Sequence, residues 1–162
     1  MGAEVVYLDR DNTLIRDCPY CSRKEDVVLM EGAAEAVAML NRAGVLAIVV
    51  TNQSGIGRGY FTEAQMHEVN TEMERQLVLK GAHIDAIYYC PHSPEVGCEC
   101  RKPATGLIEM ARRDFHPEKE FVIGDRDDVD GEMARRAGIR YALTGQKGIL
   151  EIVQDYLSKL EK

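Results

Sequence analysis

Apolar residues follow two rhythms along the chain. Short continuous runs, Val5-Val6-Tyr7-Leu8 and Val45 to Val50, read as strands covered on both faces, the mark of a parallel sheet. Ile84 to Tyr89, Phe121-Val122-Ile123 and Tyr141 to Leu143 extend the set. Between them the apolar positions recur at helical spacing. Ala33, Ala36, Val37 and Leu40 form one stripe, stopped by Gly44, and Met66, Val69, Met73 and Leu77 form another. A third helix is expected from Thr105, as its cap, to about Arg113. Met133, Ala134 and Ala137 line a short helix closed by Gly138, and Ile149, Ile152, Val153, Tyr156 and Leu160 line the last. Thr62 and Gln65 have capping-box spacing, with Phe61 and Met66 as a hydrophobic staple. The alternation predicts one α/β domain over residues 1–162. It is a three-layer αβα sandwich, Rossmann-like, around a parallel sheet of about five strands, with no repeat, linker or large cap.

Ligands bind such sheets beyond the carboxyl ends of the strands, and there this chain places its polar clusters. Asp9-Arg10-Asp11-Asn12-Thr13 follows the first strand. Two carboxylates two residues apart can serve as nucleophile and as acid and base; two solvated loop aspartates are the alternative. Thr51-Asn52-Gln53-Ser54, followed by Gly55-Ile56-Gly57-Arg58-Gly59, offers a hydroxyl, an amide, free N–H groups and a guanidinium to a phosphate, or is a flexible loop. Arg101-Lys102 is a charge-cancelling pair or a solvated one. Asp125 opens the cluster Asp125-Arg126-Asp127-Asp128-Val129-Asp130, suited to a hard cation such as Mg²⁺. A helix N-terminus explains the later aspartates but explains Asp125, on the strand, less well.

Charge and cysteine usage narrow the partners. A net charge of −7 and a pI near 5.1 disfavour nucleic acid, whose binders carry a basic excess. No run approaches the ~18 apolar residues of a membrane helix. Met1 leads directly into the first strand without an apolar leader, so a cytoplasmic protein is expected. Of five cysteines, Cys90, Cys98 and Cys100 group with His92 as C-x-H, five residues, C-x-C. Three thiols and one imidazole make a closed tetrahedral zinc set, hence a structural Zn²⁺ in a loop at 90–100. Cys18 and Cys21 form a separate pair, read as loop residues, a disulfide or second metal site, or a substrate contact.

In this order, each at a strand end, the clusters resemble the haloacid dehalogenase (HAD) superfamily of phosphatases. Its pattern is D-x-D-x-T, a strand-end Thr or Ser, a Lys, then G-D followed by an Asp; the match runs from Asp9 to Asp130. The resemblance implies that Asp9 is phosphorylated and that Asp11 protonates the leaving oxygen and then activates water. It implies that Thr51 and Lys102 hold the phosphoryl oxygens. Mg²⁺ would lie between Asp9, the Asp11 carbonyl and Asp125, with Asp130 orienting the shell. Asn12 replaces the usual Gly, and Asn tolerates a left-handed backbone. The acidic loop is one residue longer than the commonest form, and Asp130 is preferred to Asp128 on spacing to Ala137-Gly138.

The cysteine set followed by Arg101-Lys102-Pro103 resembles a smaller zinc-containing group of HAD phosphatases, acting on histidinol phosphate or on D-glycero-D-manno-heptose 1,7-bisphosphate. The segment from Thr51 to Gln65 leans to the heptose enzymes; the zinc spacing and Gly124-Asp125-Arg126 lean to histidinol phosphate. The heptose bisphosphate is the expected substrate and histidinol phosphate the alternative. Asn52, Ser54, Arg58, Arg101 and Arg126 are the expected substrate contacts, in a monomer or weak homo-oligomer. A phospho-receiver domain is disfavoured because its aspartate ends the third strand. A zinc-binding interaction module would leave the paired aspartates unexplained.

Overall fold

Five strands form the centre of the molecule: β1 (Ala3–Leu8), β2 (Leu46–Asn52), β3 (Ala86–Cys90), β4 (Pro117–Gly124) and β5 (Arg140–Leu143). All pair in parallel, in the order β3-β2-β1-β4-β5. The computed structural model describes residues 2–160, and the side chain of Leu160, assigned above to the last apolar stripe, lies outside what it describes. Helices α1 (Ala33–Arg42), α2 (Glu63–Leu79), α3 (Gly106–Phe115), α4 (Glu132–Ala137) and α5 (Ile149–Leu160) complete the three layers.

Strand side chains alternate between two cores. Val6, Leu8, Ala47, Val49 and Ile123 face α1, α2 and α5. Val5, Tyr7, Ile48, Val50 and Val122 face α3 and α4. Each such aliphatic residue, buried completely, contributes about 1.5–3 kcal/mol against exposure, which explains why β1, β2 and the end of β4 read as unbroken apolar runs. The chain builds outward from β1 through β2 to β3, then crosses to β4 on the other side of β1. That reversal opens a crevice at the carboxyl ends of β1 and β4, where such sheets hold ligands.

Most local signals act as expected. Thr62 Oγ1 accepts from Gln65 N, and Gln65 Oε1 accepts from Thr62 N, closing the capping box of α2. Asn12 adopts the left-handed conformation, φ +67°, and its N–H reaches Ile15 O at 2.8 Å. Thr105 does stand at the start of α3, but its side chain caps nothing. Its backbone, φ −96° and ψ 7°, lies outside the extended region from which a cap hydroxyl reaches back; Gly106 N donates instead to Glu99 O. The lengthened acidic loop becomes one π-type turn, Asp127–Gly131, running into α4. A wide turn absorbs one extra residue without unwinding the helix behind it.

Candidate active site

Asp9 follows the last residue of β1, and its N–H is tied to Ile123 O of β4 at 3.0 Å. Lys102 comes from the loop before α3 and is 3% exposed. Its ammonium donates to Asp9 Oδ1 at 2.9 Å, Asp130 Oδ1 at 2.8 Å and Val50 O at 2.9 Å, which uses all three of its protons. Burial alone would lower the Lys102 pKa, but Asp9 and Asp130 outweigh it and hold the ammonium above its ordinary range. Burial pushes Asp9 up; Lys102 opposes this, and Asp130 and Asp125 add to it.

Asp130, on the π-type turn, is the buried member of the acidic loop. Its Oδ2 accepts the N–H groups of Asp125 at 3.2 Å and Arg126 at 3.3 Å. Gly124 makes this possible, because a Cβ there would fall on the Asp130 carboxylate. Asp128 is exposed and pairs with Arg126 at 2.8 Å. Oxygens of Asp9, Asp125 and Asp130 lie within 4.8 Å of one another. Three carboxylates therefore face one ammonium. That charge deficit and all-oxygen donor set fit a Mg²⁺ ion that keeps waters and binds phosphate oxygens.

On the other side of Asp9, Thr51 and Asp11 are linked through Gln53. The Gln53 Nε2 donates to Thr51 Oγ1 at 2.9 Å and to Asp11 Oδ2 at 3.2 Å. Arg10 Nη2 reaches Asp11 Oδ1 at 3.2 Å and Gln53 Oε1 at 3.1 Å, and its Nη1 reaches Asn70 Oδ1 at 2.9 Å. Arg10, Gln53 and Asn70 had no place in the sequence-derived site. A buried arginine between two aspartates looks like a solvated charge until α2 supplies Asn70 to hold it.

The expected substrate contacts divide. Asn52 accepts from Lys102 N at 2.8 Å and donates to Lys102 O at 3.1 Å, so its amide is committed to holding the lysine's backbone. Ser54 and Arg58 pair with each other at 3.3 Å on the rim. Arg101 is half-buried beside Lys102, while the Arg126 guanidinium turns outward to Asp128. A cleft of about 170 Å³ reaches Asp11, Asn52 and Ser54 and is walled by Cys18, Tyr20 and Cys21. The Tyr20 ring meets that of Tyr60 edge to face, centroids 4.7 Å apart. Both Cys18 and Cys21 are free thiols.

Cys90 ends β3, and His92, Cys98 and Cys100 return to it. The Cys90 sulfur lies 3.5 Å from Cys98 and 2.8 Å from Cys100, with Cys98 and Cys100 at 3.7 Å. His92 Nδ1 faces Cys90 at 3.5 Å and Cys100 at 3.2 Å. Zn–S bonds of about 2.3 Å in a tetrahedron place sulfurs about 3.8 Å apart, so the four donors are close to the span that zinc requires. Burial opposes a Cys98 thiolate, but hydrogen bonds from Cys90 and from the Arg101 and Cys100 amides bring its pKa down to about 6; burial pushes Cys90 up. Gly57 seats the glycine-rich loop against this segment: its N–H reaches Pro91 O at 2.8 Å, and a Cβ would come within 2.7 Å of Ser93 N.

Comparison with known proteins gives this geometry relatives. A family model described as HAD-hydrolase-like matches residues 99–149, the segment that carries Lys102, Asp125 and Asp130. A probable D-glycero-D-manno-heptose-1,7-bisphosphate 7-phosphatase of Thermoplasma volcanium is 44% identical over 142 residues, covering 86% of this chain and 97% of that one. The D-glycero-beta-D-manno-heptose-1,7-bisphosphate 7-phosphatase of Escherichia coli K12 is 34% identical over 154 residues, 89% of this chain and 81% of that one. The crystal structure of the D,D-heptose 1,7-bisphosphate phosphatase of B. bronchiseptica, complexed with magnesium and phosphate, superposes with a TM-score of 0.86 at 25% identity, covering 96% and 99% of the two chains. The chain belongs to the D-glycero-D-manno-heptose-1,7-bisphosphate 7-phosphatase family of HAD phosphatases.

Proposed function

We propose that this phosphoric monoester hydrolase removes the 7-phosphate of D-glycero-D-manno-heptose 1,7-bisphosphate through an aspartyl phosphate on Asp9. The observation that carries the reading is the Lys102 ammonium, 2.9 Å from Asp9 and 2.8 Å from Asp130. Lys102 holds one Asp9 oxygen and leaves the other to attack phosphorus. As the Asp9–phosphorus bond forms and the ester bond breaks, Asp11 gives its proton to the leaving oxygen. Asp11 then takes a proton from the water that splits the aspartyl phosphate. Thr51 donates to a phosphoryl oxygen, and Lys102, its protons on Asp9, Asp130 and Val50 O, offsets phosphoryl charge through space; Ser54, Arg58 and Arg101 line the way to the rest of the substrate.

Asp9, Asp125, Asp130 and the Asp11 carbonyl would hold Mg²⁺, which supplies the neutralising charge that phosphoryl transfer needs. A structural Zn²⁺ on Cys90, His92, Cys98 and Cys100 ties the loop that carries Arg101 and Lys102 to the end of β3. Zinc thiolates suit a reducing compartment, consistent with a cytoplasmic enzyme. Among the described residues no helix is long and apolar enough to cross a membrane.

The test is phosphate release with Mg²⁺ from the heptose bisphosphate and from histidinol phosphate, compared by kcat/KM. The heptose ester is expected to be preferred. A preference above ~100-fold for histidinol phosphate, about 2.7 kcal/mol in barrier, would overturn the substrate assignment.

A further inference from the structure

Arg10 stands between the two active-site aspartates and is 1% exposed. Burying a guanidinium costs several kcal/mol unless its charge and donors are matched. Here the match is incomplete. Among the described residues Asp11 is the one carboxylate within salt-bridge reach, and the Arg10 Nε has no partner. An apolar side chain of similar volume would fill this place at lower cost to stability, so the guanidinium calls for another explanation.

The hydrogen-bond directions supply one. A glutamine amide has one accepting end and one donating end. Arg10 Nη2 donates to Gln53 Oε1, so Nε2 must point the other way, toward Asp11 Oδ2 and Thr51 Oγ1. The same Nη2 holds Asp11 Oδ1, so both carboxyl oxygens of Asp11 are gripped, one directly and one through Gln53. Asn70, 5% exposed on α2, fixes the far side of the guanidinium. A helix remote from the strand ends therefore helps determine where the Asp11 carboxyl lies.

We propose that Arg10, anchored by Asn70, is a positioning residue that sets Asp11, directly and through the Gln53 amide, in line with the leaving oxygen. The inference rests on the aspartyl-phosphate reading above. It assigns Arg10 to the step in which Asp11 transfers its proton to the ester oxygen while the bond to phosphorus breaks. General acid catalysis supplies roughly 10²–10⁴-fold, and a displacement of about 1 Å can remove ~10²-fold of it.

That role has a signature that lost stability does not share. Nitrophenolate leaves near neutral pH without a proton, whereas the alkoxide of a sugar phosphate needs one. kcat/KM for p-nitrophenyl phosphate and for heptose 1,7-bisphosphate, or another alkyl phosphate that the wild type hydrolyses, is measured for Arg10→Met, Asn70→Leu and Asp9→Asn. Thermal unfolding serves as a check that each variant is folded. Arg10→Met is expected to lose ~100-fold more on the alkyl ester than on the aryl ester. Asn70→Leu should show the same selectivity to a smaller degree, and it carries the test alone if Arg10→Met does not fold. Equal losses on both esters in a folded variant would make the network merely structural and overturn the positioning role. Turnover that survives Asp9→Asn would instead overturn the aspartyl-phosphate reading, and this inference with it.

Discussion

Two donor clusters in this molecule are built in opposite ways. The oxygen cluster of Asp9, Asp125 and Asp130 is assembled from the ends of β1 and β4 and a turn, more than a hundred residues apart in the chain. The sulfur–nitrogen cluster of Cys90, His92, Cys98 and Cys100 comes from the end of β3 and the loop that follows it. The first is shared with an ammonium and keeps charge unbalanced, as a site must if it is to take up phosphate and a cation together. The second has four donors facing one point, which leaves no position for substrate. Their meeting place is Lys102, two residues after Cys100: a metal on the closed cluster would hold the loop from which Lys102 reaches the open one.

Substituting the open cluster should have the largest effect. Asp9→Asn is expected to cut turnover by roughly 10⁴-fold or more, as loss of a nucleophile does, while metal analysis still finds about one equivalent of zinc. Zinc loss in that variant would mean that the two clusters are not independent. Lys102→Met leaves Asp9 and Asp130 unpaired in a buried place, at a cost of about 3–5 kcal/mol in denaturant unfolding and an activity loss of more than ~100-fold. Added Mg²⁺ should restore part of the stability but little of the rate.

Breaking the closed cluster should matter less to chemistry than to order. Cys98→Ser is expected to lose the zinc, lower the unfolding midpoint and reduce kcat/KM by about 10–100-fold as the lysine loop loosens, the range of losses seen when supports of a metal site are removed. Unaltered unfolding with zinc absent would show that the loop holds itself. Acid should act in the same direction, since protons compete with zinc for three sulfurs. Metal content measured between pH 7 and pH 5 is expected to fall as pH falls.

The smallest effects lie at the edges of the comparison. Asn52→Ala removes both hydrogen bonds to the Lys102 backbone and should cost about 1–2 kcal/mol, with a modest fall in kcat. Asp128→Asn breaks only an exposed pair with Arg126, worth about 0–1 kcal/mol, and should leave kcat/KM within twofold. A large loss there would move the second acid of the loop from Asp130 to Asp128.

The contrast also explains which parts of the site are legible in the sequence. Cys90, His92, Cys98 and Cys100 are legible as a set because their C-x-H and C-x-C spacing within one short loop matches a tetrahedral donor set. Asp9, Thr51, Lys102 and Asp125 are legible because each lies at a strand end or just after a metal-type loop, and parallel strands bring their ends to one edge. Arg10, Gln53 and Asn70 were not legible. Nothing local distinguishes a buried guanidinium from an exposed one, and its partner Asn70 sits on a helix whose stripe is otherwise apolar. Asn52 was legible as a site residue but not in its role, since its two bonds to Lys102 depend on how a loop fifty residues away returns to β2.

By itself the sequence determined the alternation of strands and helices, the strand-end chemistry and the four zinc-type donors, because periodicity, turn residues and short spacings act over a few residues. Only the tertiary structure decided the order β3-β2-β1-β4-β5 and the burial of Asp130, the acid that spacing already preferred to Asp128, beside Lys102. It alone decided which polar side chains are buried together around Arg10. Those outcomes depend on which distant surfaces exclude water from one another, and no local pattern encodes that.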